Sequence, residues 1–154
     1  MDFREPTPEM KQKVFNEILY EIEMLVSLPM DSPQSLLHNV LTEAYFLHTR
    51  VLVEFFQTEQ RIDNQVLCSD YGFPPEPIDP LKEIEARHHQ YITHLTYGRL
   101  KPGGTSRSWI QKNFDPKLRK RITGFLLHII KSRPVTLDED QTGRAMALVR
   151  QLAK

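Results

Sequence analysis

The constraint that most narrows what this chain can fold into is a run at residues 36–56, LLHNVLTEAYFLHTRVLVEFF, in which 13 of 21 residues are apolar or aromatic. Leu37, Val40, Leu41, Ala44, Leu47, Val51 and Phe55 form one stripe at helical spacing, and Tyr45, Phe46, Leu52, Val53 and Phe56 widen it. A helix apolar over so much of its circumference packs among other helices rather than lying on a surface. Among the polar exceptions, His38, Glu43, His48, Arg50 and Glu54 stand out. With three charged residues inside it, the run is not a bilayer span, and no other run is longer.

The neighbouring segments repeat the helical signal. Thr7-Pro8-Glu9 reads as a helix start: a hydroxyl N-cap, a proline in the first turn and an acid at the positive end of the dipole. Met10, Val14, Ile18 and Leu25, with Phe15, Leu19 and Ile22 beside them, carry that helix to about Leu28, and Pro29 stops it. Asp31-Ser32-Pro33 opens the central helix, which the pattern extends to Arg61. Two long helices joined by so short a turn lie antiparallel. Residues 62–80 hold four prolines and no sustained period, predicting a long crossing loop. Leu81, Ile84, His88, Tyr91, Ile92 and Leu95 mark a third helix that Gly98 ends. Asp115-Pro116 starts a fourth, striped by Leu118, Ile122, Phe125, Leu126 and Ile129 and ended by Pro134. A last helix runs from Leu137 to Leu152, with Ala145, Met146, Val149 and Leu152 on one side. No strand signal or internal repeat is visible. The 154 residues therefore predict one all-α domain, an up-and-down bundle of four to five helices with its core in residues 8–133 and a C-terminal helix at 137–152.

Cysteine and charge narrow the function. The single cysteine, Cys68, excludes an internal disulfide framework and a multi-thiolate zinc site, and it fits a reducing, cytoplasmic setting. The first residues, MDFREPTPEMKQK, have no apolar core of the kind a signal peptide needs. Net charge is zero but unevenly spread: residues 1–98 carry 7 Lys/Arg against 16 Asp/Glu, while residues 99–133 carry 10 Lys/Arg against Asp115 alone. Arg107, Lys112, Lys117, Arg119, Lys120 and Arg121 thus form a candidate face for RNA or nucleotide phosphate, with Trp109 placed to stack on a base. The other reading is that this basic segment lies against an acidic helix of its own chain or of a second subunit.

The chemistry-bearing stretch is residues 87–97, RHHQYITHLTY, which holds three of the six histidines. Seven residues at 100° each bring Arg87 and His94 to one helix face, with Tyr91 between them. Histidine exchanges protons near neutral pH, and arginine offers a fixed fork of donors to a phosphate or to a pentavalent phosphorane. Together they are a minimal kit for metal-free RNA cleavage by the internal 2′-hydroxyl. His94 could instead be structural, tied to the central helix through His48, Arg50 or Glu54. A histidine metal site is disfavoured because positions 88, 89 and 94 provide no i,i+4 pair, and Glu85-x-x-His88 has no second Glu-x-x-His to match it as a di-iron bundle requires.

The LTEAYFLHTRVLVEFF stretch, followed by a helix ending in HLTY, resembles the HEPN-like helical domains, in an uncharacterised bacterial branch. Active HEPN proteins carry an Arg, a polar residue and then a His after four to six residues, and Arg87-His88-x5-His94 fits the longest spacing. The resemblance covers about residues 10–130. It implies a homodimer in which Arg87 and His94 of two protomers form one metal-independent RNase site without a cofactor. His88, Tyr91, Arg50 and Glu54 surround that site, and an antitoxin-like partner accompanies toxin or phage-defence relatives. The alternative function is a non-catalytic helical domain that binds RNA, a nucleotide or a partner protein.

Overall fold

A computed structural model describes residues 5–28, 36–62, 64–78 and 115–153. Among them are four α-helices and no strand: α1 (Pro8–Ser27), α2 (Leu36–Gln57), α3 (Asp115–Ser132) and α4 (Glu139–Leu152), with a 3-10 turn at Cys68–Tyr71. The expected all-α bundle is what these elements build. The expected third helix at 81–97 and the turns on either side of it lie outside the described residues.

Local chemistry sets the ends. Thr7 caps α1, its Oγ1 accepting the Met10 amide at 3.3 Å, with Pro8 in the first turn as expected. The central helix stops four residues before the expected Arg61. Thr58 donates both its amide (3.2 Å) and its hydroxyl (2.7 Å) to the Glu54 carbonyl, a local side-chain bond that competes with continuing the helix. Arg61 then turns to the following loop, giving Nη1 to the Gln65 carbonyl and Nη2 to Asp70. At the end of α3, Arg133 takes the left-handed conformation (φ 47°) and donates its amide to Ile129 at 3.1 Å, and Pro134 prevents continuation. The last helix begins at Glu139, two residues after the expected Leu137. Asp138 and Gln141 form a reciprocal capping box: Asp138 Oδ1 accepts the Gln141 amide at 2.8 Å and Gln141 Oε1 accepts the Asp138 amide at 3.2 Å.

The order of contacts gives the topology. Glu21 of α1 meets His48 of α2, while Val14 lines the same cavity as Phe55, so the two helices run antiparallel as expected. Gln141 reaches Gln12 and Asn16, and Arg144 reaches Glu23, so α4 lies alongside α1 and runs parallel to it. The core is centred on Phe125 of α3. Its ring lies 5.2 Å from Phe55, 5.5 Å from Phe73, 5.6 Å from Phe56, 5.8 Å from Tyr71 and 6.3 Å from Phe15, mostly edge to face. Such contacts add about 0.5–1.5 kcal/mol per pair beyond the burial itself. All five residues of the expected α3 stripe are fully buried.

Three expectations about faces need correction. Val40, Leu47 and Val51 of α2 are 53%, 57% and 40% exposed, so the helix is not enclosed all round. Its inward arc is Tyr45, His48, Thr49, Leu52, Val53, Phe55 and Phe56. The inward face of α4 is Gln141, Ala145 and Leu148, and Met146 points outward, because α4 packs against α1 as well as α3. The crossing loop is also more than a connection: it buries Leu67, Cys68, Tyr71 and Ile78 in the core. Gly72, at φ 68°, turns the chain out of the 3-10 turn, and its amide reaches the Ser69 carbonyl at 3.0 Å.

Candidate functional site

Arg87, His88, Tyr91 and His94, the expected cleavage residues and their neighbours, lie outside the described residues, as do Arg107, Trp109 and Lys112 of the expected basic face. The remaining candidates fall in two places. On α2, Arg50 Nε donates to Glu54 Oε1 at 2.8 Å across one turn, with both side chains about half exposed. His48, two residues before Arg50 and on the buried side of the helix, sits 2.7 Å through Nδ1 from Glu21 Oε2, with the Tyr20 ring edge-on to it. These residues thus have partners within the α1/α2 pair. Arg50 and His48 lie on different sides of α2, although their partners Glu54 and Glu21 line one groove.

The basic residues do converge in part. Lys117, Lys120, Arg121 and Gly124 of α3, spaced i, i+3, i+4 and i+7, line a groove of about 490 Å³ with Phe73, Glu76, Pro77 and Ile78 of the loop. Arg119, on another side of the helix, does not line it.

Arg121 is the fixed member of the group. Its Nη1 donates to Glu76 Oε2 at 2.9 Å, and its Nη2 donates to the Pro74 carbonyl. Its guanidinium carbon lies 4.2 Å from the Phe73 ring centre and 5.8 Å from that of Phe56, a double cation–π contact. With only 13% of its side chain exposed, Arg121 clasps the loop to α3, while Glu76 is 68% exposed. Burying so much of a charge requires such partners. The Glu76 amide bonds to the Phe56 carbonyl at 3.0 Å and completes the clasp. Lys117 and Lys120 are exposed at the mouth. The groove carries three cations and one carboxylate.

Beneath the groove, Cys68 donates its thiol to the Phe56 carbonyl at 3.6 Å. Burial pushes that thiol up from its ordinary range, and the nearby Arg121 charge only partly opposes the effect. A buried thiol so held is not a nucleophile at neutral pH. Tyr71, whose hydroxyl donates to the Lys11 carbonyl at 2.8 Å, is pushed well above the ordinary phenol range by burial first and by Asp70 second. His128 Nε2 lies 2.9 Å from the Tyr71 carbonyl, and its ring packs 5.5 Å from Phe73. These groups fix the groove wall. Among the described residues no three His, Cys, Asp or Glu side chains gather as a metal-binding group would require.

Family models, curated proteins and solved structures give no match to this chain. The functional reading therefore stands on the residues themselves. The basic run at 117–121 is visible in the sequence, but which of its residues share a groove is not, since Arg119 stands aside from it. The clasp of Arg121 on Phe73, Pro74 and Glu76 was not, since nothing local links positions 45 or more residues apart.

Proposed function

We propose that this chain is a HEPN-like, RNA-directed helical protein that holds single-stranded RNA along the α3 groove. The observation carrying the proposal is the gathering of Lys117, Lys120 and Arg121 around Phe73 in one open groove. Phosphates meet the two lysine ammonium groups, and Phe73 with the ring-stacked Arg121 offers a flat surface to a base. Lysines at the start of a helix oppose its dipole, and phosphate at the groove mouth offsets that cost. Fluorescence anisotropy with a short single-stranded RNA tests this over a salt series. Two phosphate contacts give a slope of log affinity against log salt near −1.4, at about −0.7 per contact, and Lys117→Gln/Lys120→Gln brings the slope towards zero. RNA affinity unchanged in that double variant sinks the reading.

The Arg87-x6-His94 spacing favours a second, catalytic reading of the same protein. In a homodimer, His94 takes the 2′-hydroxyl proton, the 2′ oxygen bonds to phosphorus, and the bond to the 5′ oxygen breaks. A protonated imidazole supplies the leaving oxygen with its proton. Arg87 meets the charge that builds on the phosphorane, with no metal or other cofactor. His88, Tyr91, Arg50 and Glu54 are the surround in this reading, Arg107 and Lys112 extend the basic face, and the lone cysteine fits work in the cytoplasm with an antitoxin-like partner. Cleavage in the presence of chelator, lost in His94→Ala at matched thermal stability, is the expected result. No cleavage by folded native protein leaves binding as the function.

A further inference from the structure

A second groove lies between α1 and α2, and it differs in every respect from the basic one. Its volume is about 250 Å³, and its floor is apolar: Val14, Ile18, Leu52, Phe55 and Leu67. Glu17, Glu21 and Glu54 line it as well, and no lysine or arginine does so among the described residues. Beside it runs the outward ridge of α2, where Val40, Leu47 and Val51 are all 40% exposed or more. Single exposed apolar residues are ordinary, but aligned ones that continue into an apolar cleft mark a contact surface. Positions i, i+7 and i+11 keep the ridge on one side of α2 for about 16 Å, roughly three helical turns. Val51 belongs to both ridge and groove and joins them into one strip.

We propose that this strip docks a basic amphipathic helix supplied by a partner protein. The apolar floor takes leucine-like side chains at i, i+3 or i+4, and i+7, the usual way a helix seats in a groove. Charge selects the partner's polar face: Glu17 is exposed at the rim, while Glu54, bonded to Arg50, is about half exposed and Glu21, bonded to His48, stands on the wall. Lysine or arginine beside the apolar anchors meets Glu17, whereas the phosphates of a nucleic acid are repelled by it. Among the described residues the nearest counterpart is basic α3, but its apolar stripe from Leu118 to Ile129 is fully buried, so a second copy has no such face of α3 to offer. The proposal is independent of RNA binding along the α3 groove, and it is an alternative to the catalytic reading, whose surround includes Glu54 of this groove.

The test uses the full chain and a fluorescein-labelled amphipathic helical peptide of leucine and lysine, with its leucine and glutamate counterpart as control. The lysine peptide binds, the glutamate peptide does not, and Glu17→Lys combined with Val51→Ser lowers affinity about tenfold or more, as loss of an anchor and its charge does. Leu47→Ser, at an exposed position, gives a smaller loss with an unchanged thermal midpoint. The proposal is overturned if the native protein does not bind the lysine peptide, or if it binds both peptides equally. It is also overturned if the variants retain full affinity. A change in sedimentation caused by Leu47→Ser assigns the ridge to a second copy instead. Unfolding by Leu47→Ser assigns it to the chain's own packing, and either result ends the docking role.

Discussion

The two grooves of this molecule are built from opposite materials. The one against α3 has a cationic mouth, an aromatic wall and a buried arginine clasp; the one between α1 and α2 has an aliphatic floor and carboxylates. Adjacent residues serve them, since Phe56 lies under the clasp while Phe55 lines the apolar cleft. Both rings lean on Phe125, at 5.6 and 5.2 Å. A shared rigid centre thus holds two surfaces whose charge differs in sign. The binding proposed at each rests on its own lining, and folding on the part they share.

Phe125→Ala breaks the comparison at its root. The ring is fully buried and touches five other aromatic rings, so its loss opens a cavity that neighbours of such size cannot close. A loss of about 3–5 kcal/mol follows, read as a lowered urea midpoint at unchanged slope. Both grooves fail together. A loss under about 1 kcal/mol would mean that this ring is not the centre of the core.

Removing the clasp separates the grooves. Arg121→Met keeps the aliphatic stem over Phe73 but drops the bonds to Glu76 and the Pro74 carbonyl and the cation–π contact. About 1–3 kcal/mol of stability is lost, Glu76 being exposed and left with water. RNA affinity falls with it, because the loop that carries Phe73 is no longer held, while the lysine-peptide affinity of the α1/α2 strip is unchanged. Arg121→Lys does not restore it, as an ammonium lacks the planar fork that reaches two oxygens while lying on a ring.

Alkaline pH probes the buried wall between them. The Tyr71 pKa is raised in the folded protein, chiefly by burial, whereas the unfolded phenol ionises near its ordinary value of about 10. The folded state therefore keeps a proton that the unfolded state has released. The stability this provides is present below pH ~10 and is lost as pH climbs from there toward the folded pKa, at up to about 1.4 kcal/mol per pH unit. Urea midpoints measured above pH 10 fall more steeply in the native protein than in Tyr71→Phe. Parallel curves would show that Tyr71 ionises equally in both states.

How far the sequence reveals all this depends on distance along the chain. The α3 stripe and the Thr7-Pro8 start are local patterns, and both appear where the periodicity predicts. The Asp138–Gln141 capping box is equally local, and reading it would have placed the start of α4 correctly. The face of α2 is different in kind. It has apolar residues on nearly every side, so periodicity cannot say which arc turns inward, and the stripe through Val40, Leu47 and Val51 turns outward. The loop at 62–80 misleads for another reason: prolines and lack of period predict irregular backbone correctly but say nothing about burial. Tyr71 and Cys68 enter the core through contacts made far along the chain. Of the candidate sites, the α3 lysines show in the sequence only as part of a basic run that also holds Arg119, which lies on another side of the helix; the carboxylate-lined groove needs two helices to exist at all.

The smallest expected effect tests whether the basic groove is open or closely filled. Gly124 lies mid-helix on the wall of that groove, where a glycine costs about 0.5–1 kcal/mol relative to alanine. A methyl group there meets Phe73 Cζ at 3.6 Å, an ordinary packing distance, with no other neighbour close. Its backbone has no positive φ that would require glycine. Gly124→Ala is therefore expected to stabilise the protein by about 0.5–1 kcal/mol, raising the thermal midpoint by a few degrees, with RNA affinity within twofold of native. The same substitution at Gly72 runs the other way: at φ 68° alanine is strained, although His128 Nε2 at 3.7 Å leaves it room. If Gly124→Ala stabilises the fold yet abolishes RNA binding, the nucleic acid packs onto the helix backbone at this point rather than reaching only the lysines at the mouth. The base would then lie against Phe73 over Gly124, and the missing side chain would be the feature that admits it.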